Sequence, residues 1–270
     1  EARLTCTYAL LLGIFCGTFP RFILPALAMA MLRMHEGFNL YNIGLTCGFL
    51  ALFAAAFLVG AQRDITIKII WNTQPPLSLI LLTPILSLLF IIWGAIMDGS
   101  KLYKNLLSIM KLSGRLPTDF MDEVSQGSSF VNAGLLGLAG TAYLLIIKAP
   151  INGPVIGGLF TIIGFATFGK HLKNCWPCAL GVIIATLLYG KSLNAPGPVL
   201  ALLFATTLAP LSGQFGPLMG IAAGFVHLSL VERSAAWHGG LDLYNNGFAG
   251  GLTATLFFAI IQWFKGTRKK

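Results

Sequence analysis

The chain has 270 residues, 56% of them hydrophobic and 10% charged, with a mean hydropathy of +0.80 and a formal net charge of +9. A soluble domain carries roughly 25% charged residues, so there is too little polar surface here to cover a water-soluble globule. The missing basic soluble face excludes a nucleic-acid partner, and apolar runs that do not alternate with polar residues exclude a β-barrel. The predicted class is an all-α, polytopic membrane protein with about 8–10 membrane segments, some of them short or re-entrant.

In chain order, residues 7–19 form a first span that Pro20-Arg21 interrupts, and the apolar run 22–34 that follows is too short to cross. Thirteen helical residues rise about 20 Å against a hydrocarbon core of roughly 30 Å, so a re-entrant or broken helix is expected there. Spans follow over 43–61 and 77–97, separated by a loop that ends in Pro75-Pro76. Residues 98–129 are the one long polar stretch. Lys101, Lys104, Lys111 and Arg115 alternate at helical spacing with Leu102, Leu106, Leu107 and Met110, which predicts an amphipathic helix on the membrane surface. The organisation is therefore a first membrane half (1–97), a cytoplasmic linker (98–129) and a second membrane half (130–270). Glu1, not Met, opens the chain, which leaves room for a segment ahead of it.

The second half offers candidate spans over 130–147, 155–168, 177–189, 199–211, 218–231 and 246–264. Gly153-Pro154-Val155 and Gly197-Pro198-Val199 repeat at an offset of 44, followed at the same offset by Gly169 and Gly213. Proline in a first helical turn loses nothing, because that N–H is unpaired anyway, so each Gly-Pro marks a helix start. Placing 20–42, 98–129, 170–174, 212–216 and the tail on the inside puts 12 of the 18 Lys+Arg there. Arg3, Arg63, Lys68, Lys148, Lys191 and Arg233 are left outside, as the positive-inside rule favours.

A phrase of seventeen residues is written twice, at 35–51 and 238–254, with a constant offset of 203 and eight identities. His35, Gly37, Tyr41, Asn42, Gly44 and Gly48 match His238, Gly240, Tyr244, Asn245, Gly247 and Gly251. On the orientation above, the first copy opens its helix from inside and the second from outside. That is an inverted internal repeat, and transporters commonly hold their solute between such repeats. Asn42 and Asn245 are placed as helix N-caps, and the glycines four apart as close-packing faces. Neither role accounts for the polar ends of the histidines and tyrosines. His35, Asn39, Tyr41, Asn42, His238, Asp242, Tyr244 and Asn245 are therefore the candidate solute-binding groups, with His227 inside a span beside them. A weaker third copy, Asn132-Ala-Gly134-Leu-Leu-Gly137, favours the capping reading at the Asn position.

The stretch from Gly240 to Gly251, the block 160–177 and Ser113–Phe120 resemble an uncharacterised bacterial multi-pass membrane family with two related halves. That resemblance implies a bacterial cell-membrane location and lends no activity. More distantly, the repeated phrase is similar to the Gly-Leu-x-Gly-Tyr-Asn elements of urea transporters, which have inverted halves and a narrow path for a small neutral solute. The Leu-Pro-x-x-Thr-x-Pro-Phe element of that family is absent, so urea itself is not implied.

Lys170-His171-x-Lys173 is expected to be a solvated cytoplasmic loop, with an entry site for an anionic solute as the alternative. Cys175-Trp-Pro-Cys178 has C-x-x-C spacing, but no βαβ pattern surrounds it. The remaining cysteines sit in apolar runs as fillers. Glu36, Asp98, Glu232 and Asp242 all fall at span edges, which favours a passive or weakly coupled path over a carboxylate relay.

The function expected is a transporter or channel-like facilitator for a small polar or neutral solute. No enzyme activity, metal or cofactor is expected. The partners are the solute, the lipid bilayer and other copies in a homo-oligomer, and the C-terminus is cytoplasmic. A thiol-redox carrier or enzyme using Cys175 and Cys178 is the alternative.

Overall fold

The computed structural model describes residues 2–63 and 70–267, without the side chains of residues 2–6. Arg3, Cys6, Lys68 and the basic groups after Lys265 therefore lie outside the described side chains. Twelve α-helices and no strand are found among the described residues. They are α1 (Ala2–His35), α2 (Asn42–Gly60), α3 (Leu77–Asp98), α4 (Leu102–Ile109), α5 (Phe120–Glu123), α6 (Gln126–Ile146), α7 (Gly153–Phe165), α8 (Leu172–Leu188), α9 (Pro196–Ala205), α10 (Ala209–Phe215), α11 (Pro217–Trp237) and α12 (Asn245–Thr267). Among the described residues, six helical stretches are long and apolar enough to cross a membrane: Thr7–His35, Asn42–Gly60, Leu77–Ile109, Gln126–Ile146, Pro196–Phe215 and Asn245–Thr267. The chain is a polytopic membrane protein.

Helix starts follow local chemistry. Ser125 Oγ accepts the Ser128 N–H at 3.1 Å, and Asn152 Oδ1 accepts the Val155 N–H at 3.3 Å just ahead of Gly153-Pro154. His171 and Asn174 cap α8 reciprocally, each side chain accepting the other's backbone N–H. Three expectations are corrected. The break at Pro20-Arg21 does not occur: α1 is continuous through Pro20 and Pro25, because neighbouring groups in an apolar span can absorb the carbonyls that proline frees. The polar stretch is helical over Leu102–Ile109, over Phe120–Glu123 and again from Gln126, not along its whole length. In between it docks as irregular chain, with Arg115 over the Phe38 ring at 4.5 Å. Asn42 is not an N-cap but the first residue of α2, whose N-cap, Tyr41, makes no side-chain capping bond.

The docked linker defines one end of the bundle. Leu116 N–H donates to Gly37 O, Arg115 Nε to Glu36 O, and Asn174 Nδ2 to Ser113 O. Gly169 and Gly213, the pair related by the offset of 44, both press on the Ser113–Gly114 backbone. Lys265, late in α12, lies 5.1 Å from the Phe215 ring centroid at the same end. The other end gathers Asn152 on Asn72 O at 2.9 Å and Lys191 on Glu232 at 2.5 Å. The connection 36–41 between α1 and α2 thus lies at the linker end. The connection 238–244 between α11 and α12 follows a helix whose Glu232 marks the opposite end. The two helix hairpins that carry the repeated phrase are inverted.

The repeats meet where α2 and α12 cross. A Cβ on Gly44 would lie 2.7 Å from Gly247 Cα, and one on Gly247 would lie 2.8 Å from Gly44 Cα. Around this point the contacts are reciprocal under the offset. Gly44 faces Tyr244 as Gly247 faces Tyr41, and Gly48 faces Phe248 as Gly251 faces Leu45. Beyond the crossing the helices separate in opposite senses: Phe248 packs on Phe49, while Phe258 reaches back to Phe38. This is a pseudo-two-fold axis through a pair of glycines.

A side chain at Gly44 would have to displace backbone, not a flexible side chain. Gly44→Val is expected to destabilise the fold by about 1–3 kcal/mol, read as a lower melting temperature in detergent. Gly157→Ala, whose Cβ meets nothing within 4 Å, serves as the neutral control. Equal melting of the two variants would contradict the crossing.

Candidate functional site

Each phrase builds the same hydrogen-bond network. His35 Nε2–H donates to Asn42 Oδ1 at 3.0 Å, and His238 Nε2–H to Asn245 Oδ1 at 2.9 Å. Asn42 Nδ2 then donates to Ala28 O at 2.8 Å, and Asn245 Nδ2 to Val231 O at 2.9 Å. The Nδ1 of each histidine accepts a backbone N–H four residues on, from Asn39 and Asp242. The side-chain Oδ1 of Asn39 and of Asp242 accepts the N–H of Tyr41 and Tyr244. Each of these bonds repeats at the offset of 203, down to the helix carbonyl that receives the amide, while Ser234 Oγ donates to Asn245 Oδ1 at 2.6 Å in the second phrase alone.

This assigns roles among the sequence candidates. His35, His238, Asn42 and Asn245 have their side-chain polar atoms committed to the network, so they hold the two re-entering connections and have little left for a solute. Tyr41 is buried and Tyr244 is 54% exposed, so the two tyrosines are equivalent in sequence and unequal in surroundings. Burial pushes the Tyr41 phenol up from its ordinary value. Asn39 also accepts from Thr207 Oγ1 at 2.6 Å, which ties the first phrase to the turn between α9 and α10. Asp242 is buried, not at a solvated span edge, and one of its carboxylate oxygens has no partner. Burial pushes its carboxyl above the ordinary carboxylate range, and the Tyr244 N–H and nearby His238 oppose that shift. His227 is buried on α11 with Nε2 bonded to Asn246 Oδ1 at 3.2 Å and Nδ1 unpartnered.

The expected solvated loop at 170–173 is corrected at Lys170 and His171, while Lys173 is exposed as expected. Lys170 and His171 are fully buried, because the break between α7 and α8 is packed inside the bundle. Asn132 Nδ2, from the weak third copy of the phrase, clamps this break by donating to Ala166 O and Lys170 O, both at 2.7 Å. His171 Nε2 reaches Leu112 O at 2.9 Å. Lys170 Nζ donates to the Tyr41 hydroxyl, lies 4.5 Å from the Tyr41 ring centroid and lies 5.1 Å from that of Phe165. Neither ion pair among the described residues involves it. Burial lowers the Lys170 pKa to about 7, and an ionisable group buried within a membrane protein marks a functional position by default. The sequence signal was present, since Lys170 follows Gly169 in the 44-residue repeat, but its partner is 129 residues away.

Tyr41 and Phe165 also line a cavity of about 790 Å³ beside the crossing. Asn42 and Gly44 of the first phrase, Tyr244 of the second, and Thr161 and Gly164 of α7 complete its polar and open parts. Among the described residues, no group of three His, Cys, Asp or Glu side chains is placed to hold a metal ion. Cys175 and Cys178 are free and buried, with Cys175 Sγ 3.5 Å from Asn174 Oδ1 and Cys178 Sγ 4.0 Å from Asn174 O. Thiol exchange needs an accessible thiolate, and neither sulfur reaches the surface.

A family model described as "Protein of unknown function (DUF1576)" matches residues 2–59 and 99–263. Among curated proteins and among solved structures, nothing matches.

Truncating the bridging amides leaves a buried carbonyl and a histidine N–H unpaired, at about 1–3 kcal/mol for each lost partner. Asn42→Ala and Asn245→Ala are therefore both expected to lower the melting temperature, Asn245→Ala by somewhat more because Ser234 Oγ also loses its acceptor there. A large loss in one and none in the other would show that the two networks are not equivalent.

Proposed function

We propose that this chain, which belongs to the DUF1576 family, is a membrane transporter or channel-like facilitator whose small polar or neutral solute passes beside the crossing of the two repeats. The observation that carries this reading is the cavity where inverted phrases, a broken helix pair and a buried lysine converge. Its volume lies within the roughly 300–1,000 Å³ usual for small-molecule sites. The first turns of α2 and α12 bring unpaired backbone N–H groups and the positive ends of two helix dipoles toward it. Lys170 adds an amine donor behind the Tyr41–Phe165 wall, its pKa lowered to about 7 by burial. A solute presenting a carbonyl or other partly negative oxygen suits that field better than a cation does. Basic residues gathered at the linker end support placing that end, with the C-terminus, on the cytoplasmic side of a bacterial cell membrane.

Gly164 lines the cavity, and a Cβ built there meets nothing within 4 Å. A larger side chain should therefore fill the path without disturbing the bundle. In proteoliposomes, the wild type is expected to admit at least one of urea, formamide, glycerol or a short organic anion. Gly164→Leu should cut that flux by at least roughly tenfold, about 1.4 kcal/mol of barrier, with melting unchanged. Equal flux through folded wild type and Gly164→Leu would remove the path from this cavity.

A further inference from the structure

The two phrases differ at one buried position where the change is chemical more than steric. Asn39 and Asp242 are related by the offset of 203, both are buried, and each Oδ1 accepts the N–H of the tyrosine two residues on. The other polar atom of each side chain, Asn39 Nδ2 and Asp242 Oδ2, has no partner. The same turn is built twice, once around an amide that Thr207 Oγ1 also reaches and once around a carboxyl without that donor.

Those two orphaned atoms are not equivalent. A buried amide N–H without a partner is unfavourable, but it carries no net charge. An ionised carboxylate taken from water without a cation is far less favourable, and such a group escapes by taking up a proton. No cation offsets Asp242, since the ion pairs among the described residues are Arg115–Glu36 and Lys191–Glu232. The titratable groups that bear on it are His238 of its own connection and Cys47 of α2. Cys47 occupies, under the offset, the place that Gly250 takes beside Asn39. His238 has its Nε2–H on Asn245 and its Nδ1 on the backbone of Asp242 itself, so it has no N–H left for the carboxylate.

We propose that Asp242 is a proton-binding site, a carboxylic acid held at the crossing of the repeats in the place that the first repeat fills with a permanently neutral amide. A hard metal cation fits less well, because it gathers about six oxygen ligands, and no cluster of three metal-binding side chains is present among the described residues. The site gives the transport reading above, on which its role in passage rests, a coupling ion; the proton itself is tested on the protein alone.

The test is infrared spectroscopy of the purified full chain, with melting followed against pH. At neutral pH the wild type should show a protonated-carboxyl C=O band that Asp242→Asn lacks. Asp242→Ala, which also removes the carboxyl, should lack the band as well, and it keeps the test open if Asp242→Asn does not fold. A carboxyl whose folded pKa lies above its unfolded one stabilises the fold most at low pH. That share fades as the pH climbs from the ordinary carboxylate range through the raised value. The wild type should therefore lose melting temperature over that window relative to Asp242→Asn. Identical spectra and identical pH dependence in the two proteins would overturn the proposal. So would a missing band accompanied by stabilisation from sodium chloride and not potassium chloride, which would make the site one for sodium. Absence of solute flux would sink the transport reading and leave these spectra as they are.

Discussion

A membrane interior offers no water to an unpaired polar group, and the structure turns on how the chain meets that constraint where two helices begin inside the bundle. At 36–41 the backbone leaves one helix and enters the next among buried side chains, and at 239–244 it does so around buried His238 and Asp242 with Leu241, Leu243 and Tyr244 exposed. A histidine at the end of the outgoing helix and an asparagine at the start of the incoming one close the gap. The amide of that asparagine takes the carbonyl of Ala28 or Val231, and the histidine Nδ1 takes the backbone between. The side-chain bridge replaces the water and caps that a surface turn would use. Because the solution is local to each hairpin, duplication could carry it unchanged into an inverted copy.

With the turns satisfied internally, the incoming helices can approach without a polar layer between them, and glycine sets how near. Gly44 and Gly247 bring the axes of α2 and α12 together at the pseudo-two-fold. The same device recurs between α8 and α11, where Gly181 faces the backbone at Ile221 and Phe225 and Gly224 faces that of Cys178. In lipid, where apolar burial between helices gains little, close packing of this kind supplies much of the association energy. The broken pair α7–α8 is held differently, by Asn132 on its two free carbonyls. The cavity lies between these two constructions.

Much of this was legible in the sequence. The duplicated phrase gave the inverted hairpins, the spacing of Gly44/Gly48 and Gly247/Gly251 gave the crossing face, and the offset of 44 anticipated Gly169 and Gly213. Charge asymmetry gathered 98–129, 170–174 and 212–216 on one side, and the structure gathers them at one end. What the sequence hid depends on long-range partners. Asn42 looks like a cap until Ala28 is seen fourteen residues back, and Lys170 looks solvated until Tyr41 is seen against it. Asp242 looks like an edge residue because burial by a crossing helix leaves no trace in local composition. Pro20 suggests a break because proline rules drawn from water overstate its effect in an apolar span.

The most direct test of the account is the sidedness of its two re-entering connections. Single cysteines at Glu36→Cys and Leu241→Cys, in an otherwise cysteine-free chain in sealed oriented vesicles, would be labelled with a membrane-impermeant maleimide. Inverted repeats predict labelling from opposite faces, with Lys111→Cys sharing the face of Glu36→Cys. Labelling of Glu36→Cys and Leu241→Cys from the same face would contradict the inversion and the placement of the solute path between the two halves.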